Sequence, residues 1–295
     1  MAKRFYLYIP PLVAVLIWSV NMVVIKYAVG TTDPFTINFY RWILALIIML
    51  VVFHKQIIIN LSKIIKYLPQ FFILGLLGMT AYQGIAYVAA KYTSASHLGI
   101  ICGVSPLISV VLISIVQRQF PSMVKSVGCI LTIIGLGYFI SKGNVYSIIN
   151  EGFSYGDTLM LLAVFCYSLY GVCLKKFNLP FSISINLTMQ IVFAVILQLP
   201  VAYFHPVEAI TLANSWVIVF SAILPSIIGT FLWVKGVENI GADKCSGIFC
   251  LLPVFISIIA VFTLGDPWGA ANTVGIIIMV IGLLLINRKI KKNQG

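Results

Sequence analysis

The chain has 295 residues, of which 61% are hydrophobic and only 9% are charged. Soluble domains hold about 45–50% apolar and about 25% charged residues, and so few charges would leave large apolar patches in water. The composition therefore excludes a soluble fold and indicates an integral membrane protein. The formal net charge of +12 would also suit a nucleic-acid partner, but the placement of the basic residues argues for another interpretation.

Apolar runs long enough to cross about 30 Å of hydrocarbon recur along the whole chain. Their length predicts helices, because a spanning β-strand needs only about ten residues of alternating pattern. The connections are short and contain Pro, Gly, Asn or Asp, which end helices. We predict an all-α integral membrane protein with ten transmembrane helices, at residues 11–29, 35–53, 69–90, 95–116, 123–140, 156–174, 183–204, 212–235, 245–264 and 271–287.

The basic residues of the short loops predict the orientation of these spans. Alternating passage through ten spans places all but four of the 19 Lys and Arg on the side of the N-terminus, and the four are Lys26, Arg41, Lys91 and Lys142. We therefore predict that both termini are cytoplasmic and that the chain lies in the inner (plasma) membrane. The positive net charge is then explained by the orientation of the chain in the membrane, and no nucleic-acid partner is expected.

The two halves of the sequence resemble each other. Residues 14–26 match residues 163–175 at a shift of 149, and Pro106 lies over Pro253 at a shift of 147. At the latter shift Val127-Gly128 and Gly135 also lie over Val274-Gly275 and Gly282. We predict a duplication, with repeat 1 at residues 1–146 and repeat 2 at residues 151–295. Five spans per repeat is an odd number, so the second repeat is inverted, as in many carriers with a site near the midplane.

Four motifs carry a family resemblance: Trp18-Ser19-x-Asn21-x4-Lys26, Arg41-Trp42, Ala90 to Ser96 followed by Ser105-Pro106, and Gly241-Ala242-Asp243 followed by Pro253. Through them the chain resembles the drug/metabolite transporter superfamily, in its EamA-type branch. The resemblance implies ten helices around a central cavity that opens to one side at a time. It also implies that spans one, three, four, six, eight and nine line the cavity and that the others are peripheral.

Two positions depart from the pattern of that family. Gln117-Arg118-Gln119 follows span four where a Gly-Glu pair is usual, and His97 stands where a small residue is usual. Neither departure changes the expected fold, but His97 bears on the class of substrate.

Polar side chains in a membrane bundle are expected to face its interior or a wet cavity. Trp18 and Asn21 share one helix face, as do their repeat partners Tyr167 and Tyr170, and aromatic walls with a few polar groups suit an amphiphilic organic solute. The alternative for each stripe is helix–helix packing. The candidate substrate-binding residues are Trp18, Asn21, Gln83, Tyr87, His97, Ser105, Tyr167, Tyr170 and Trp233.

Prolines and two cations inside the spans add further candidates. Pro106, Pro225 and Pro253 each remove a backbone hydrogen bond and can kink a helix, so we predict that they bend or gate the helices, with Pro106 and Pro253 flanking the site. Lys26 and Arg41 lie near the outer ends of their spans, where long side chains snorkel to the interface. Snorkelling is the preferred interpretation, and the alternative is that Lys26, Arg41 and Lys91 contact an anionic substrate.

No catalytic pattern accompanies these residues. The three histidines are scattered, and the sequence contains no Walker-type, His-Glu-x2-His or Gly-x-Ser-x-Gly motif. The six cysteines lie within spans without zinc-ligand spacing, which predicts packing residues. We therefore expect no enzyme, no cofactor and no metal. No acidic residue lies at mid-span, which favours facilitated movement or exchange over proton-driven transport.

The predicted function is a secondary transporter that moves small organic metabolites by alternating access. Amino acids or related compounds are the preferred substrates, and export is the preferred direction. The main alternative is an uptake or exchange carrier for a nucleotide-like or cofactor-like metabolite, ahead of a passive channel or a membrane enzyme. The expected partners are the small-molecule substrate and the lipid bilayer, and the chain is expected to act as a monomer or homodimer.

Overall fold

A computed structural model of the chain describes residues 6–144, 153–204 and 206–287, without the side chains of Ala242 and Asp243. Both termini and the segment at the boundary between the two predicted repeats lie outside the described residues. The described part consists of helices and connecting turns and contains no strand. The prediction of an all-α protein is confirmed for these residues.

Most of the described chain lies in fourteen α-helices. Two π-helical turns, Gly75–Ala81 and Leu224–Ile228, join α3 to α4 and α10 to α11. The helices are α1 (Ile9–Ala28), α2 (Pro34–Ile64), α3 (Leu68–Leu74), α4 (Tyr82–Ala89), α5 (Ala95–Cys102), α6 (Ser105–Gln117), α7 (Met123–Ile140), α8 (Tyr155–Phe177), α9 (Ile183–Phe204), α10 (Leu212–Ile223), α11 (Gly229–Ile240), α12 (Ala242–Phe249), α13 (Leu252–Leu264) and α14 (Ala270–Ile286).

Eight helical segments of the described chain are long and apolar enough to cross a membrane, and Ala270–Ile286 is a shorter apolar helix. The longest, Pro34–Ala89, contains predicted span two and all but the last residue of predicted span three. It folds back on itself, because Nη1 of Arg41 lies 3.1 Å from the hydroxyl of Tyr87. This segment therefore passes through the bundle twice.

The predicted end of span two at residue 53 is wrong, because α2 continues to Ile64. Residues 35–68 contain no Pro or Gly, and the polar residues after position 53 do not break a helix. A helix of 31 residues is about 46 Å long, so α2 exceeds the thickness of the hydrocarbon core.

The predicted continuous spans four and nine are both interrupted. Turns at Gly103-Val104 and at Cys250-Leu251 separate α5 from α6 and α12 from α13. Pro106 and Pro253 lie in the first turns of the helices that follow, where the missing N–H has no intrahelical partner to lose. The two prolines therefore begin new helices after a break, instead of kinking a continuous helix as predicted.

Glycines bring helices of the two halves into close contact. On α7, a Cβ added to Gly128 would lie 2.7 Å from the carbonyl oxygen of Gly282, and one added to Gly135 would lie 2.5 Å from the amide nitrogen of Met279. On α5, a Cβ at Gly99 would lie 2.6 Å from Cγ2 of Ile256. Such close approach of small residues is the usual way in which membrane helices pack. Helices of the first half also pack on those of the second half at the pairs α1–α11, α1–α13, α4–α8 and α5–α13.

Candidate substrate cavity

A cavity of about 680 Å³ lies between the two halves of the bundle. Its volume falls within the range of small-molecule sites, about 300–1,000 Å³. Of the predicted substrate-binding residues it brings together Trp18, Asn21, Gln83, Tyr167, Tyr170 and Trp233. Arg41 and Pro225 lie in the same wall.

Two aromatic clusters form much of the cavity wall. Trp18, Trp233 and Phe249 contact one another with ring centroids 5.5 to 6.2 Å apart. Tyr167 lies between Tyr82, at 4.6 Å, and Tyr170, at 5.8 Å. We call these groups the tryptophan cluster (Trp18, Trp233, Phe249) and the tyrosine cluster (Tyr82, Tyr167, Tyr170). They offer flat apolar surface with a few polar atoms at its edges.

Pro225 organises the polar part of the wall through its missing N–H. In a regular helix that N–H would donate to the carbonyl of Ser221. The hydroxyl of Ser226 donates to this carbonyl instead, at 2.6 Å. With its proton used in this way, Ser226 Oγ accepts a hydrogen bond of 2.8 Å from Nε of Arg41. A proline of the second half therefore helps to place a cation of the first half.

Arg41 does not snorkel, which corrects the preferred sequence interpretation. It is 2% exposed, and its guanidinium lies 4.6 Å from the ring centroid of Trp42. Nη1 donates to Gln83 Oε1 at 3.2 Å and to the Tyr87 hydroxyl at 3.1 Å. The bend within Pro34–Ala89 packs α4 against α2, so acceptors are available inside the bundle and the side chain turns inward.

Spans two and seven line the cavity, contrary to what the family resemblance implied. Span two contributes Arg41 and Trp42, and span seven contributes Asn186, Leu187 and Gln190. Gln190 accepts a hydrogen bond of 3.1 Å from the Tyr170 hydroxyl. The cavity wall also contains Met79, Tyr82, Ser226 and Phe249, which were not among the predicted binding residues. The polar Gln190 in the middle of an apolar span could have indicated that span seven lines the cavity. Whether it does so depends on which face of α9 is turned inward, and the sequence of α9 alone does not determine that face.

Three predicted substrate-binding residues lie away from the main cavity wall. Tyr87 is fully buried behind Arg41. Nδ1 of His97 lies 3.1 Å from Oδ1 of Asp157, which also accepts a bond of 2.6 Å from Thr93. The hydroxyl oxygens of Ser105 and Ser168 lie 3.2 Å apart, and Ser105 lines a second cavity.

This second cavity has a volume of about 330 Å³ and contains both Ser105 and Pro106 in its wall. It shares the tryptophan cluster and Tyr167 with the main cavity. The same rings therefore separate two spaces within the bundle. Pro253 does not line either of them, but packs near Gly103, where an added Cβ would lie 3.2 Å from its Cγ.

Polar contacts join the helices at the end of the bundle where α1 ends and α2 begins, which the sequence predicts to face outward and which we call the outer end. Lys91 forms an ion pair of 3.0 Å with Asp33, and Lys26 donates to the Ala90 carbonyl at 2.8 Å. Lys26 and Lys91 are therefore engaged by the protein outside the cavity wall. The main cavity instead reaches the opposite, inner end, where Glu238 in its wall is 61% exposed.

The chain matches known proteins along nearly its whole length. The EamA-like transporter family matches it twice, at residues 5–141 and 154–288. The uncharacterized transporter YyaM of Bacillus subtilis (strain 168) is 28% identical over 264 residues, which cover 88% of this chain and 86% of that protein. An uncharacterized transporter of Archaeoglobus fulgidus is 26% identical over 281 residues, covering 93% and 94% of the two chains.

A solved crystal structure has the same fold, with a TM-score of 0.65 and 14% sequence identity over 96% of both chains. The family match covers both halves, and the relatives named above are transporters. These findings agree with a multi-pass membrane protein built around a cavity. The chain belongs to the EamA-like transporter family.

Proposed function

We propose that this protein is a secondary carrier that moves small organic metabolites across the inner (plasma) membrane by alternating access. The observation that carries the proposal is the main cavity, which lies between the two halves and reaches the inner end of the bundle. At the outer end, polar contacts join the helices. A site that opens to one side at a time is what a carrier requires. In this interpretation the structure corresponds to the inward-open state.

We propose further that the carrier consists of ten spans in two inverted repeats, at residues 1–146 and 151–295. The two separate family matches support the repeat, as do the equivalent helix breaks, 147 residues apart, before Pro106 and Pro253. The π-helical turns begin at Gly75 and Leu224, 149 residues apart. The excess of basic residues in the predicted inner loops supports cytoplasmic termini.

Amino acids or related compounds are the proposed substrates, and export is the proposed direction. The tryptophan and tyrosine clusters supply apolar area, while Asn21, Gln83 and Arg41 supply polar contacts in the same wall. Such a combination suits a solute that has both an apolar body and a polar end.

One observation favours the alternative, an uptake or exchange carrier for a nucleotide-like or cofactor-like metabolite: Arg41 offers a positive charge to the cavity. However, Lys26 and Lys91 are engaged at the outer end. A nucleotide carries several negative charges, and a single guanidinium matches a monoanion better. We therefore retain amino acids and related compounds as the first choice.

We propose facilitated movement or exchange as the mode of energy coupling. Among the described residues of the main cavity wall, Glu238 is the one that carries a carboxylate, and it lies at the open inner end rather than at mid-span. Flux that stays constant between pH 6 and pH 8 in proteoliposomes supports this mode. Proton uptake stoichiometric with substrate contradicts it.

The test of the carrier itself is counterflow. A thermal-shift screen of the purified protein with amino acids, nucleotides and methyl donors identifies a stabilising compound, which is then loaded into proteoliposomes. A carrier accumulates the external labelled compound transiently and with saturation. Linear, non-saturable flux indicates a channel, and chemical conversion of the compound indicates an enzyme; either result overturns the proposal.

A further inference from the structure

Arg41 carries a buried positive charge that no carboxylate of the described chain neutralises. Its side chain is among the largest fully buried ones, and the residue is 2% exposed. The ion pairs of the described residues are Lys91–Asp33 and Lys235–Glu238, the ring of His97 contacts Asp157, and none of these contacts involves Arg41. A buried charge normally has a charged partner or several hydrogen bonds, because its desolvation is costly.

Among the described residues, Arg41 contacts only neutral groups. Nε and Nη1 donate to Ser226, Gln83 and Tyr87, and the ring of Trp42 lies under the guanidinium. These contacts hold the guanidinium plane in one orientation but leave its charge uncompensated. Nη2 donates to none of the described residues.

Two neighbours of Arg41, Gln83 and Trp42, each have a donor left over in the described chain. Because Gln83 Oε1 accepts from Arg41, the amide Nε2 of Gln83 remains as a donor, and it reaches no described acceptor. The indole Nε1 of Trp42 is buried and also without an acceptor in the described chain. Arg41, Trp42 and Gln83 all line the main cavity. The polar part of the wall therefore combines a positive charge with the unused N–H groups of Arg41 Nη2 and Gln83 Nε2, which together match an anion.

The donors that remain are the two N–H groups of Arg41 Nη2 and the amide Nε2 of Gln83, and a carboxylate has two charged oxygens that can accept from both groups. Arg41 is the one cation among the described residues that line the main cavity, and Lys26 and Lys91 are engaged at the outer end. The rest of the wall consists largely of the tryptophan and tyrosine clusters, which suit an apolar or aromatic body.

We propose that Arg41 is the carboxylate-binding residue of the cavity and that the protein binds monocarboxylates whose apolar part packs against the two aromatic clusters. This inference rests on the proposed carrier function and narrows its substrate class. Gln83 and Ser226 act as positioning residues, since they hold the guanidinium against Trp42. An amino acid fits this class, as does an aromatic acid without an amino group.

Ligand binding tests the assignment without requiring transport. The purified full-length protein in detergent is titrated with propionate, 3-phenylpropionate and indole-3-propionate and with the three corresponding amides, while tryptophan fluorescence and thermal unfolding are recorded. We expect at least one aromatic carboxylate to bind tenfold or more tightly than its amide. We expect Arg41→Gln to weaken that carboxylate about 30-fold or more and to leave the amide unchanged.

Two variants keep the test decisive. Arg118→Gln makes the same chemical change at an exposed residue outside both cavities, and we expect wild-type binding. Arg41→Lys keeps the positive charge and replaces Arg41→Gln in the test if that variant does not fold. We expect Arg41→Lys to bind the carboxylate about tenfold more weakly than the wild type, because a point charge replaces the planar guanidinium. Equal affinity for carboxylates and amides in the wild type, or no Arg41-dependent stabilisation by any carboxylate, overturns the assignment.

The failure of this assignment is distinguishable from the failure of the proposed function. Saturable counterflow of a neutral or cationic compound that persists in Arg41→Gln supports the carrier and overturns the carboxylate site. Arg41-dependent carboxylate binding without saturable flux supports the site and overturns the carrier.

Discussion

The indole Nε1 of Trp18 donates a hydrogen bond of 3.1 Å to the backbone carbonyl of Pro225. The bond joins α1 of the first half to the π-helical turn of the second half, beside the main cavity. Its acceptor belongs to the residue whose missing N–H also frees the Ser221 carbonyl for Ser226. One proline therefore influences both the tryptophan cluster and the position of Arg41.

Replacing this proline tests its role in the cavity. In Pro225→Ala a new N–H can donate to the Ser221 carbonyl and release Ser226, so Arg41 loses an anchor. We expect counterflow to slow about tenfold, a loss of roughly 1.4 kcal/mol in transition-state stabilisation, at equal amounts of reconstituted protein. Pro200→Ala changes an exposed proline inside α9 and is the matched control. Equal rates for the two variants contradict this role.

The prolines after the two helix breaks are expected to matter for conformational change. In Pro106→Ala/Pro253→Ala the new N–H groups favour continuation of the helix across the breaks, which stiffens both helices. We expect slower transport with surface expression unchanged. Uptake is compared with that of Pro267→Ala, a change in an exposed loop. Wild-type uptake by the double variant would falsify this idea.

His97 is expected to act at the outer end and not on the substrate, although its position in the sequence suggested substrate binding. Its ring contacts Asp157 and Phe139 and does not line the main cavity. We predict that His97→Ala changes the KM for counterflow by less than about twofold, whereas Tyr167→Ala, within the tyrosine cluster, raises KM about tenfold or more. A large increase of KM in His97→Ala contradicts the placement.

The contact between α7 and α14 leaves no room for a side chain. A Cβ at Gly135 would lie 2.5 Å from the backbone nitrogen of Met279 and 2.7 Å from the Gly275 carbonyl, and backbone cannot move as a flexible side chain can. We expect Gly135→Ala to destabilise the protein by about 1–3 kcal/mol, measured as a lower Tm in detergent. The control is Gly171→Ala, where no atom lies within 4 Å and alanine should raise Tm slightly.

The pair Asp33–Lys91 predicts a pH dependence of stability. Burial raises the pKa of Asp33, but hydrogen bonds from Lys91, Thr36 and Phe35 outweigh it, so the pKa is lowered from 3.8. Because the pKa of Asp33 is lower in the folded state than in the unfolded state, ionised Asp33 stabilises the folded protein at pH values above the unfolded-state pKa. This stabilisation is lost as the pH falls through the folded-state pKa.

Two variants separate the charge of Asp33 from its capping role at α2. Asp33→Asn keeps an acceptor for Phe35 and Thr36 and should cost at most about 1 kcal/mol at pH 7. Asp33→Ala also loses the helix cap and should cost about 1–2 kcal/mol. Thermal unfolding at pH 7 and at pH 3 measures both, and we expect the difference between wild type and Asp33→Asn to shrink at pH 3. A difference independent of pH contradicts the ion pair.

Hydropathy and local helix rules predicted the membrane class and most helix positions, because apolar length and breakers are properties of contiguous segments. They failed at the end of α2, where polar residues without Pro or Gly continue the helix. The prolines at 106 and 253 were recognised as special, but only the structure distinguished a helix start from a kink. Six of nine predicted binding residues line the main cavity, since polar and aromatic stripes select an inward face.

The sequence by itself determined that this protein is a helical membrane protein with related halves and the motifs of its family. Only the tertiary structure decided that Arg41 turns inward, that His97 pairs with Asp157 and that α2 and α9 line the cavity. The partners of Arg41 on α4 and of His97 on α8 lie at least 42 residues away in the chain, and Gln190 of α9 meets Tyr170, 20 residues away. Periodicity identifies a polar face, but the packing of distant helices determines what that face contacts.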